Sequence, residues 1–254
     1  GLQRIWVFYP NRPRAIAAAR KKFIVARLAD LFLIAGAILL YRYFGTGNLQ
    51  VIFDGMKQMH TDASVAAELA AVFFVLAAIF KSAQFPTHGW LIEVMETPTP
   101  VSALLHAGLL NAGPFLMVRM SFVLNETSFA PLMLILFGGI TAFYASVAYL
   151  AQPSVKTALG YSSIAHMGFM LLVSGLGVYA AVMLHLVAHS FYKAHAFLAS
   201  GSIIDALRGA KISSPKRFGS PLRIVSSIAI AFMVYIGFTL VWGIDPSKEL
   251  SLMA

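Results

Sequence analysis

Seven long apolar stretches set the strongest constraint on how this chain folds. An α-helix rises about 1.5 Å per residue, so about 20 apolar residues cross the hydrocarbon core of a bilayer. Stretches of this kind cover approximately residues 23–43, 65–86, 99–120, 129–150, 157–177, 179–205 and 222–243. Polar residues do not alternate with apolar ones in them, as the strands of a membrane barrel would require. The sequence therefore predicts an all-α, polytopic integral membrane helix bundle with about seven spans.

The composition supports a membrane protein and excludes several kinds of chemistry. Apolar residues make up 59% of the chain and charged residues 11%, whereas soluble domains carry about 25% charged residues. The absence of cysteine excludes disulfides, thiolate catalysis and cysteine-ligated iron–sulfur clusters. Neither the phosphate-binding Gly-x-x-x-x-Gly-Lys-Ser/Thr motif nor the dinucleotide-binding Gly-x-Gly-x-x-Gly motif occurs. We therefore expect a transport subunit without a cofactor of its own, rather than an enzyme.

The chain is predicted to be one transmembrane domain, residues 1–254, belonging to a longer polypeptide. Its first residue is Gly1 rather than methionine, and no signal peptide follows. Residues 2–9 have the character of the end of a hydrophobic helix, which Pro10 and Pro13 then interrupt.

The net charge of +9 is distributed unevenly. If the chain crosses the membrane at each apolar stretch, one side receives Arg12, Arg14, Arg20, Lys21, Lys22, Lys156, Arg208, Lys211, Lys216, Arg217 and Arg223. The other side receives little beyond Arg42, Lys57, Arg119 and Lys248. The positive-inside rule places the loops 10–22 and 206–223 in the cytoplasm. Anionic lipid headgroups explain these basic loops, so the lipid bilayer is the predicted partner and nucleic acid is not.

Lys81 is a charge at a depth where charges are rare. The eleven preceding residues, Ala70 to Phe80, are all apolar and span about 17 Å as a helix, roughly half of the hydrocarbon core. Pro86 follows five residues later and leaves the carbonyl of Ser82 without its helical donor. A discontinuous helix near Pro86 is therefore predicted, with Lys81 beside a hydrated ion path. The alternative is a proline kink with Lys81 extended to an interface.

His185, His189 and Lys193 are spaced i, i+4, i+8, which places them on one stripe of a helix. Histidine titrates near neutral pH and burial lowers the pKa of lysine, so such a stripe suits a proton relay. His195 falls on the opposite face, where we expect it to pack. A zinc protease site is not predicted, because the residue after His185 is Leu186 and the His-Glu-x-x-His motif is absent.

Four other ionisable residues in the spans are less specific. His106 and His166 are both intramembrane and could be structural or functional. Arg27 and Asp30, at i, i+3, could neutralise each other as an ion pair. Alternatively, Asp30 could be the counter-charge of a lysine on a neighbouring helix.

Several short sequence motifs contain the ionisable residues discussed above or lie beside them: Lys81-Ser82-Ala83-Gln84-Phe85-Pro86, Trp90-Leu91, Pro98–Ala107, Tyr161-Ser162-Ser163, His185–Lys193 and Leu198–Ser202. Together they resemble the antiporter-like, proton-pumping subunits of respiratory complex I and the Mrp sodium/proton antiporters. The resemblance implies that Lys81 is the central proton carrier on a broken helix. It also implies that a hydrated axis is lined by His106, His185, His189 and Lys193. In the same family Arg27 and Asp30 would support the side on which protons enter, and the family's key glutamate would lie upstream of this chain.

Three further motifs, Met95–Pro100, Asn111-Ala112-Gly113 and Lys193–Leu198, resemble most the membrane subunit of DAB-type inorganic-carbon accumulation systems. That resemblance implies a location in the bacterial inner membrane. It also implies a cytoplasmic, zinc-containing, carbonic-anhydrase-like partner that converts CO2 to bicarbonate, with zinc in the partner and none in this chain. The segment after Trp242 does not reproduce the family's second broken helix, so Lys248 is given no role.

Three functions fit these features to different degrees. The first is a cation-conducting subunit that energises a carbon-capturing partner, and the second is a proton-pumping subunit of an NADH:quinone oxidoreductase or an Mrp-type antiporter. The third, a membrane anchor, is disfavoured because an anchor gains nothing from ionisable residues in its spans. Protons or sodium ions could be carried, and a relay built from nitrogen atoms favours protons.

Overall fold

The computed structural model describes residues 13–58 and 65–209, together with five residues between Val225 and Met233. All regular structure in these residues is helical. The chain divides into two compact units, Gly1–Ser202 and Ile203–Ala254, and the helices considered below lie in the first unit apart from the last turns of the final helix. An all-α fold is thus confirmed. Six of the predicted apolar stretches coincide with helices, and the seventh, 222–243, lies almost entirely outside the described residues.

The first helix, α1 (Pro13–Phe44), has 32 residues. The predicted loop 10–22 is therefore wrong for residues 13–22, which are the first turns of α1; residues 10–12 lie outside the described residues. The reason is local: proline fits the first turn of a helix, and the alanine-rich segment 15–19 has high helix propensity. After a turn, the short helix α2 (Leu49–Lys57) buries Ile52 and Met56.

The third helix, α3 (Val65–Lys81), packs along α1. Phe32 of α1 stacks between Phe73 and Phe80, with ring centroids 6.0 and 5.7 Å apart. This packing brings the last turn of α3, which ends in Lys81, next to the middle of α1.

The chain leaves the helical conformation directly after Lys81. Ala83 has a φ of +51°, and the next helix, α4 (Gly89–Glu93), leads into a 3₁₀ turn at Val94–Glu96. The helix thus ends five residues before Pro86. The carbonyl of Ser82, which the proline deprives of a donor, accepts a hydrogen bond of 3.0 Å from Nε2 of Gln84.

A second interruption divides the predicted span 99–120. Helix α5 (Thr99–Ala107) is followed by a 3₁₀ turn at Leu109–Asn111, by α6 (Ala112–Arg119) and by the short α7 (Ser121–Leu124). Gly108 permits the change of direction, and Pro114 removes the helical donor to the carbonyl of Leu110. The Nδ2 of Asn111 donates to the carbonyl of Ala107 at 2.8 Å, so the broken turn keeps a hydrogen bond.

Three longer helices complete the described fold: α8 (Phe129–Leu150), α9 (Val155–Gly175) and α10 (Tyr179–Gly209). A Cβ on Gly138 of α8 would lie 2.6 Å from the carbonyl oxygen of Gly168 on α9. The two backbones approach this closely because neither helix has a side chain at the crossing, as in many membrane helix pairs.

Several helices carry the surface that a bilayer requires. Among the described residues, four helical segments are long and apolar enough to cross a membrane: Ile16–Phe44 within α1, Thr99–Arg119 across the second interruption, Phe129–Leu150 and Val155–Gly175. Large apolar side chains such as Ile24, Leu132, Phe143 and Leu150 point outward from them. Such exposed apolar faces suit lipid rather than water.

Candidate functional site

The first charged cluster joins α1 to the end of α3. The Nζ of Lys81 donates to Oδ1 of Asp30 at 2.6 Å, and the guanidinium of Arg27 donates to Oδ2 at 2.6 Å. Both interpretations of Asp30 are therefore present at once: it pairs with its helix neighbour Arg27 and with a lysine on another helix. The side chains of Asp30 and Lys81 are 28% and 26% exposed, and that of Arg27 is 61% exposed.

A cavity of about 110 Å³ lies against this cluster. It is lined by Lys22, Val25, Ala26, Phe80, Lys81, Trp90, Leu105, Leu109 and Ala112, from both broken helices and α1. A water molecule occupies about 30 Å³ in the liquid, so the cavity can hold a short water chain beside the ammonium group of Lys81. Lys22 is a second lysine in this cavity, and sequence reasoning had assigned it only to a basic loop.

The predicted stripe on α10 is buried along most of its length. Lys193 is fully buried and His189 is 4% exposed, whereas His195 is exposed on the opposite face, not packed as expected. The Nζ of Lys193 donates to the carbonyl of Leu159 on α9 at 3.2 Å. Burial of a lysine whose ammonium group donates to a backbone carbonyl rather than to a carboxylate is unfavourable, and such lysines are commonly functional.

His166 on α9 belongs to the same group of side chains, although its sequence context was ambiguous. Its Nδ1 lies 2.9 Å from Nε2 of His185, and its ring centroid lies 5.3 Å from that of His189. A signal for this contact exists in the sequence: α9 and α10 form a hairpin around the short turn 176–178, so residues equidistant from the turn lie level. His166 is level with the stretch from His185 to His189.

His106 reaches the stripe from α5. It is fully buried, and its ring stacks on Phe197 of α10 with centroids 4.3 Å apart. Phe197 follows Lys193 by one helical turn, so it extends the same stripe. Neither ring nitrogen of His106, nor either ring nitrogen of His189, has a hydrogen-bond partner among the described residues. Buried polar atoms are nearly always hydrogen-bonded, so these nitrogen atoms are suited to contact water in a proton path.

Asn111 connects the second interruption to α10. Besides its bond to Ala107, its Nδ2 donates to Oγ of Ser190 at 2.7 Å. Because Ser190 is the neighbour of His189, this bond holds the broken turn beside the stripe. Leu105 and Leu109 line the cavity at Lys81, and His106, the neighbour of Leu105, contacts Phe197 of the stripe.

A second, open cleft of about 610 Å³ lies at the end of the bundle where α9 begins. Lys21 and Glu93 form an ion pair of 2.5 Å at its edge. The Nζ of Lys156 donates to the carbonyl of Thr97, which ties the start of α9 to the segment that leads into α5. The cleft therefore opens on the broken helix and on basic residues from two helices.

The described residues contain no group of three or more histidine, cysteine, aspartate or glutamate side chains that could hold a metal ion. The histidine-rich region consists of imidazoles and an ammonium group, without a carboxylate ligand. Its groups can accept and release protons, and they present no oxygen cage for a hard cation.

Comparisons of the sequence and of the fold with known proteins point to the same family. The family described as "NADH:quinone oxidoreductase/Mrp antiporter, TM" matches residues 3–241. A probable inorganic carbon transporter subunit, DabB2 of Halothiobacillus neapolitanus, is 42% identical over the whole chain and 46% of its own length. NADH-quinone oxidoreductase subunit L of Rhodobacter capsulatus is 38% identical over 79% of the chain and 29% of its own length.

The solved Mrp complex of Dietzia sp. has a similar fold, with a TM-score of 0.73 and 30% identity over 86% of this chain and 24% of the matched chain. The chain thus spans less than half the length of the curated relatives it matches. These relatives are named as subunits, and the Mrp protein belongs to a complex.

Proposed function

Because this chain belongs to the NADH:quinone oxidoreductase/Mrp antiporter membrane family, we propose that it is part of a proton-conducting subunit that energises inorganic-carbon accumulation. The subunit translocates cations and does not itself catalyse a chemical reaction. Its partner is a cytoplasmic, zinc-containing, carbonic-anhydrase-like protein that converts CO2 to bicarbonate. The complex lies in the inner membrane of a bacterium.

The observation that best supports proton transport is the ion pair between Asp30 and Lys81, the last residue of α3. Lys81 stands between a carboxylate and a cavity that has room for water. When Lys81 releases its proton, Asp30 still has Arg27 as a partner, so the carboxylate is not left without a cation. The lysine can therefore change its protonation state without leaving an isolated charge inside the bundle.

From Lys81 the proton path continues to the stripe on α10. The cavity extends to Leu105 and Leu109, which flank His106, and His106 stacks against the end of the stripe. Lys193, His189 and His185 then follow at one-turn intervals of about 6 Å. Water molecules between these groups would complete the transfer, since each group can both accept and donate a proton.

The extent of the similarity favours the carbon-accumulation assignment. DabB2 matches the whole chain at 42% identity, whereas subunit L matches 79% of it at 38%. Coupling to CO2 capture is chemically reasonable, because hydration of CO2 releases a proton and a transmembrane proton gradient is a source of free energy for it.

The test is to express the full-length protein with its neighbouring gene products in a bacterial host that lacks carbonic anhydrases and needs elevated CO2. Growth in ambient air is expected for the wild type and is expected to fail for Lys81→Ala. Purification through a tag on the membrane subunit should recover a partner that contains zinc by elemental analysis. Absence of both growth and a zinc partner would contradict the proposal.

The second candidate is a redox-driven proton pump, and the identity with subunit L supports it. The same purification distinguishes the two. A flavin spectrum and iron–sulfur signals in the purified complex, without zinc, would replace the carbon-capturing partner with an NADH:quinone oxidoreductase. The roles proposed for Lys81 and the stripe would stand in either case.

A further inference from the structure

The backbone directly after Lys81 needs hydrogen-bond partners from another part of the protein. In a continuous helix the N–H of Phe85 would donate to the carbonyl of Lys81, four residues earlier. The helix instead ends at Lys81, and Ala83 has a φ of +51°, which residues other than glycine rarely adopt. We call residues 82–88 the break segment. An N–H group without an acceptor is unfavourable inside a membrane bundle, so this irregular conformation persists only where its surroundings hold it.

Thr141 of α8 supplies the acceptor for the break segment. Its Oγ1 accepts a hydrogen bond of 3.1 Å from the N–H of Phe85 and donates one of 2.6 Å to the carbonyl of Phe137. The residue is fully buried. A threonine hydroxyl that bonds only to the carbonyl four residues earlier is common in helices. The bond from Phe85 goes beyond this pattern, because it joins α8 to a segment 56 residues earlier in the chain.

Tyr144 adds a second contact between α8 and the break segment. It follows Thr141 by about one helical turn and therefore lies on the same side of α8. Its ring centroid lies 5.2 Å from that of Phe85 and 5.1 Å from that of His88. Tyr144 thus contacts side chains of the break segment, whereas Thr141 binds its backbone. The hydroxyl of Thr141 is the contact that sets the position of the Phe85 N–H.

Phe85 lies between two residues that line the cavity at the Asp30–Lys81 ion pair. It follows Lys81 by four residues and precedes Trp90 by five, and both of these line the cavity. A shift of the backbone at Phe85 would therefore move one or both walls of the cavity. We propose that Thr141 is a positioning residue for proton transfer: its hydroxyl holds the break segment so that Lys81 and Trp90 enclose the water. This inference rests on the proposed function and adds to it a residue that carries no charge.

A pair of substitutions separates the hydroxyl of Thr141 from its volume. Thr141→Val keeps the shape and removes the acceptor, whereas Thr141→Ser keeps the hydroxyl. The carbonyl of Phe137 retains its helical donor in both variants, so Phe85 is the residue that loses a partner in Thr141→Val. In proteoliposomes with the full-length complex, Thr141→Val should reduce proton flux per assembled complex about tenfold or more, since small displacements of reacting groups are costly. Thr141→Ser should retain at least about half of the flux, because the acceptor is present.

Hydrogen exchange of the purified complex measures the hydrogen bond without reference to transport. Peptides that cover residues 82–88 should exchange about tenfold faster in Thr141→Val than in the wild type, and at the wild-type rate in Thr141→Ser. Thr127→Val is the matched control. Thr127 is also buried, but its hydroxyl donates to the carbonyls of Val123 and Leu124 in its own segment. Both flux and exchange of residues 82–88 should stay near the wild-type values in this control.

Three results would overturn the role of Thr141: full flux in Thr141→Val, an equal loss of flux in Thr141→Ser, or an equal loss in Thr127→Val. If Thr141→Val does not assemble, Thr141→Ala removes the same acceptor with less volume and takes its place. Failure of both to assemble would assign Thr141 to folding and would also overturn the proposal. Full flux in Lys81→Ala would instead overturn the proposed function, so the two failures are distinguishable.

Discussion

Asp30 holds two cations through its two carboxylate oxygens, each at 2.6 Å. An unpaired carboxylate inside a membrane bundle is strongly unfavourable, so removal of a sole partner would destabilise the fold. Arg27 remains after Lys81 is removed, and Arg27 lies on the same helix as Asp30. Substitution of Lys81 therefore tests proton transfer without removing the last counter-charge of Asp30.

Lys81→Ala is expected to abolish energy coupling while the complex still assembles. Lys81→Arg should fail almost as completely, because a guanidinium does not release its proton at physiological pH. Bicarbonate-dependent growth and proton flux per assembled complex measure coupling, and the yield of purified complex measures assembly. Full activity of either variant would exclude Lys81 as the proton carrier.

The stripe on α10 should respond to mutation as one unit. If protons pass through His185 and His189 in series, His189→Ala alone should reduce flux nearly as much as the double substitution of His185 and His189. His195→Ala, on the exposed face, should change flux little. Proton flux per assembled complex, measured in proteoliposomes, compares these variants. Additive losses of stability, with flux per complex intact, would assign packing roles to these histidines.

The residues of the stripe could be predicted from sequence because their relation is local. Spacing of four residues places His185, His189 and Lys193 on one face of any helix. The contacts of His166 with His185, and of Lys22 with the cavity at Lys81, join different helices. These contacts depend on which helices are neighbours and on how far each helix is shifted along its axis relative to the next. A single sequence indicates this shift only where two helices are joined by a short turn, as α9 and α10 are.

At the scale of helices, Glu68 joins α3 to the start of α8. Its carboxylate accepts hydrogen bonds from the backbone N–H groups of Ser128, Phe129 and Ala130, at 3.3, 2.7 and 3.2 Å. The first N–H groups of a helix have no partner within the helix, and the helix dipole favours a negative charge there. Glu68 thus supplies from another helix the cap that the Ser128 side chain does not provide.

Glu68→Gln is expected to destabilise the complex by about 1 kcal/mol, because it removes the charge and one acceptor from three backbone donors. Glu126→Gln, in the turn just before α8, is the matched control and should have little effect. Thermal unfolding of the purified complex measures both. Equal midpoints for the two variants would show that the cap does not contribute to stability.

At the crossing of α8 and α9, the neighbouring residues Gly138 and Gly139 provide a second matched pair of substitutions. A Cβ on Gly138 would lie 2.6 Å from two backbone atoms of α9, whereas on Gly139 it would lie 3.3 Å from the flexible end of Leu172. Gly138→Ala should therefore force the helices apart and destabilise the complex by about 1–3 kcal/mol. Gly139→Ala should be tolerated. Assembly yield and unfolding temperature compare the two, and an equal effect would contradict the close backbone contact.

The helices themselves could be predicted from their apolar length, but their interruptions could not be placed exactly. Pro86 indicates a break nearby, yet the helix ends at Lys81, because Ala83 leaves the helical conformation and Gln84 satisfies the Ser82 carbonyl. The break after His106 was missed. Gly108 and Pro114 are each tolerated in membrane helices, so neither residue by itself predicts that the helix ends at Ala107 and continues as a 3₁₀ turn.

At the scale of the whole described bundle, the two ends differ in charge. One end contains Lys21 and Lys156 around the 610 Å³ cleft, and the start of α9 lies there. The opposite end contains the turn before α8 and the start of α10, with Tyr179 donating to Asn125. The positive-inside rule therefore predicts that the Lys156 end faces the cytoplasm, the side on which the proposed partner would bind.

A matched pair of serines tests this orientation. Ser154 and Ser128 are both exposed, both precede the first residue of a helix, and neither side chain caps its helix. Residues 1–254 contain no cysteine, so Ser154→Cys and Ser128→Cys can be labelled singly once any cysteine elsewhere in the full-length protein is replaced. In intact cells a membrane-impermeant thiol reagent should label position 128 and not 154, and inverted vesicles should give the reverse. Ser214→Cys, in the basic loop 206–223 that lies mostly outside the described residues, should behave like Ser154→Cys. The opposite labelling pattern would reverse the orientation and place the Lys156 end of the bundle outside the cytoplasm.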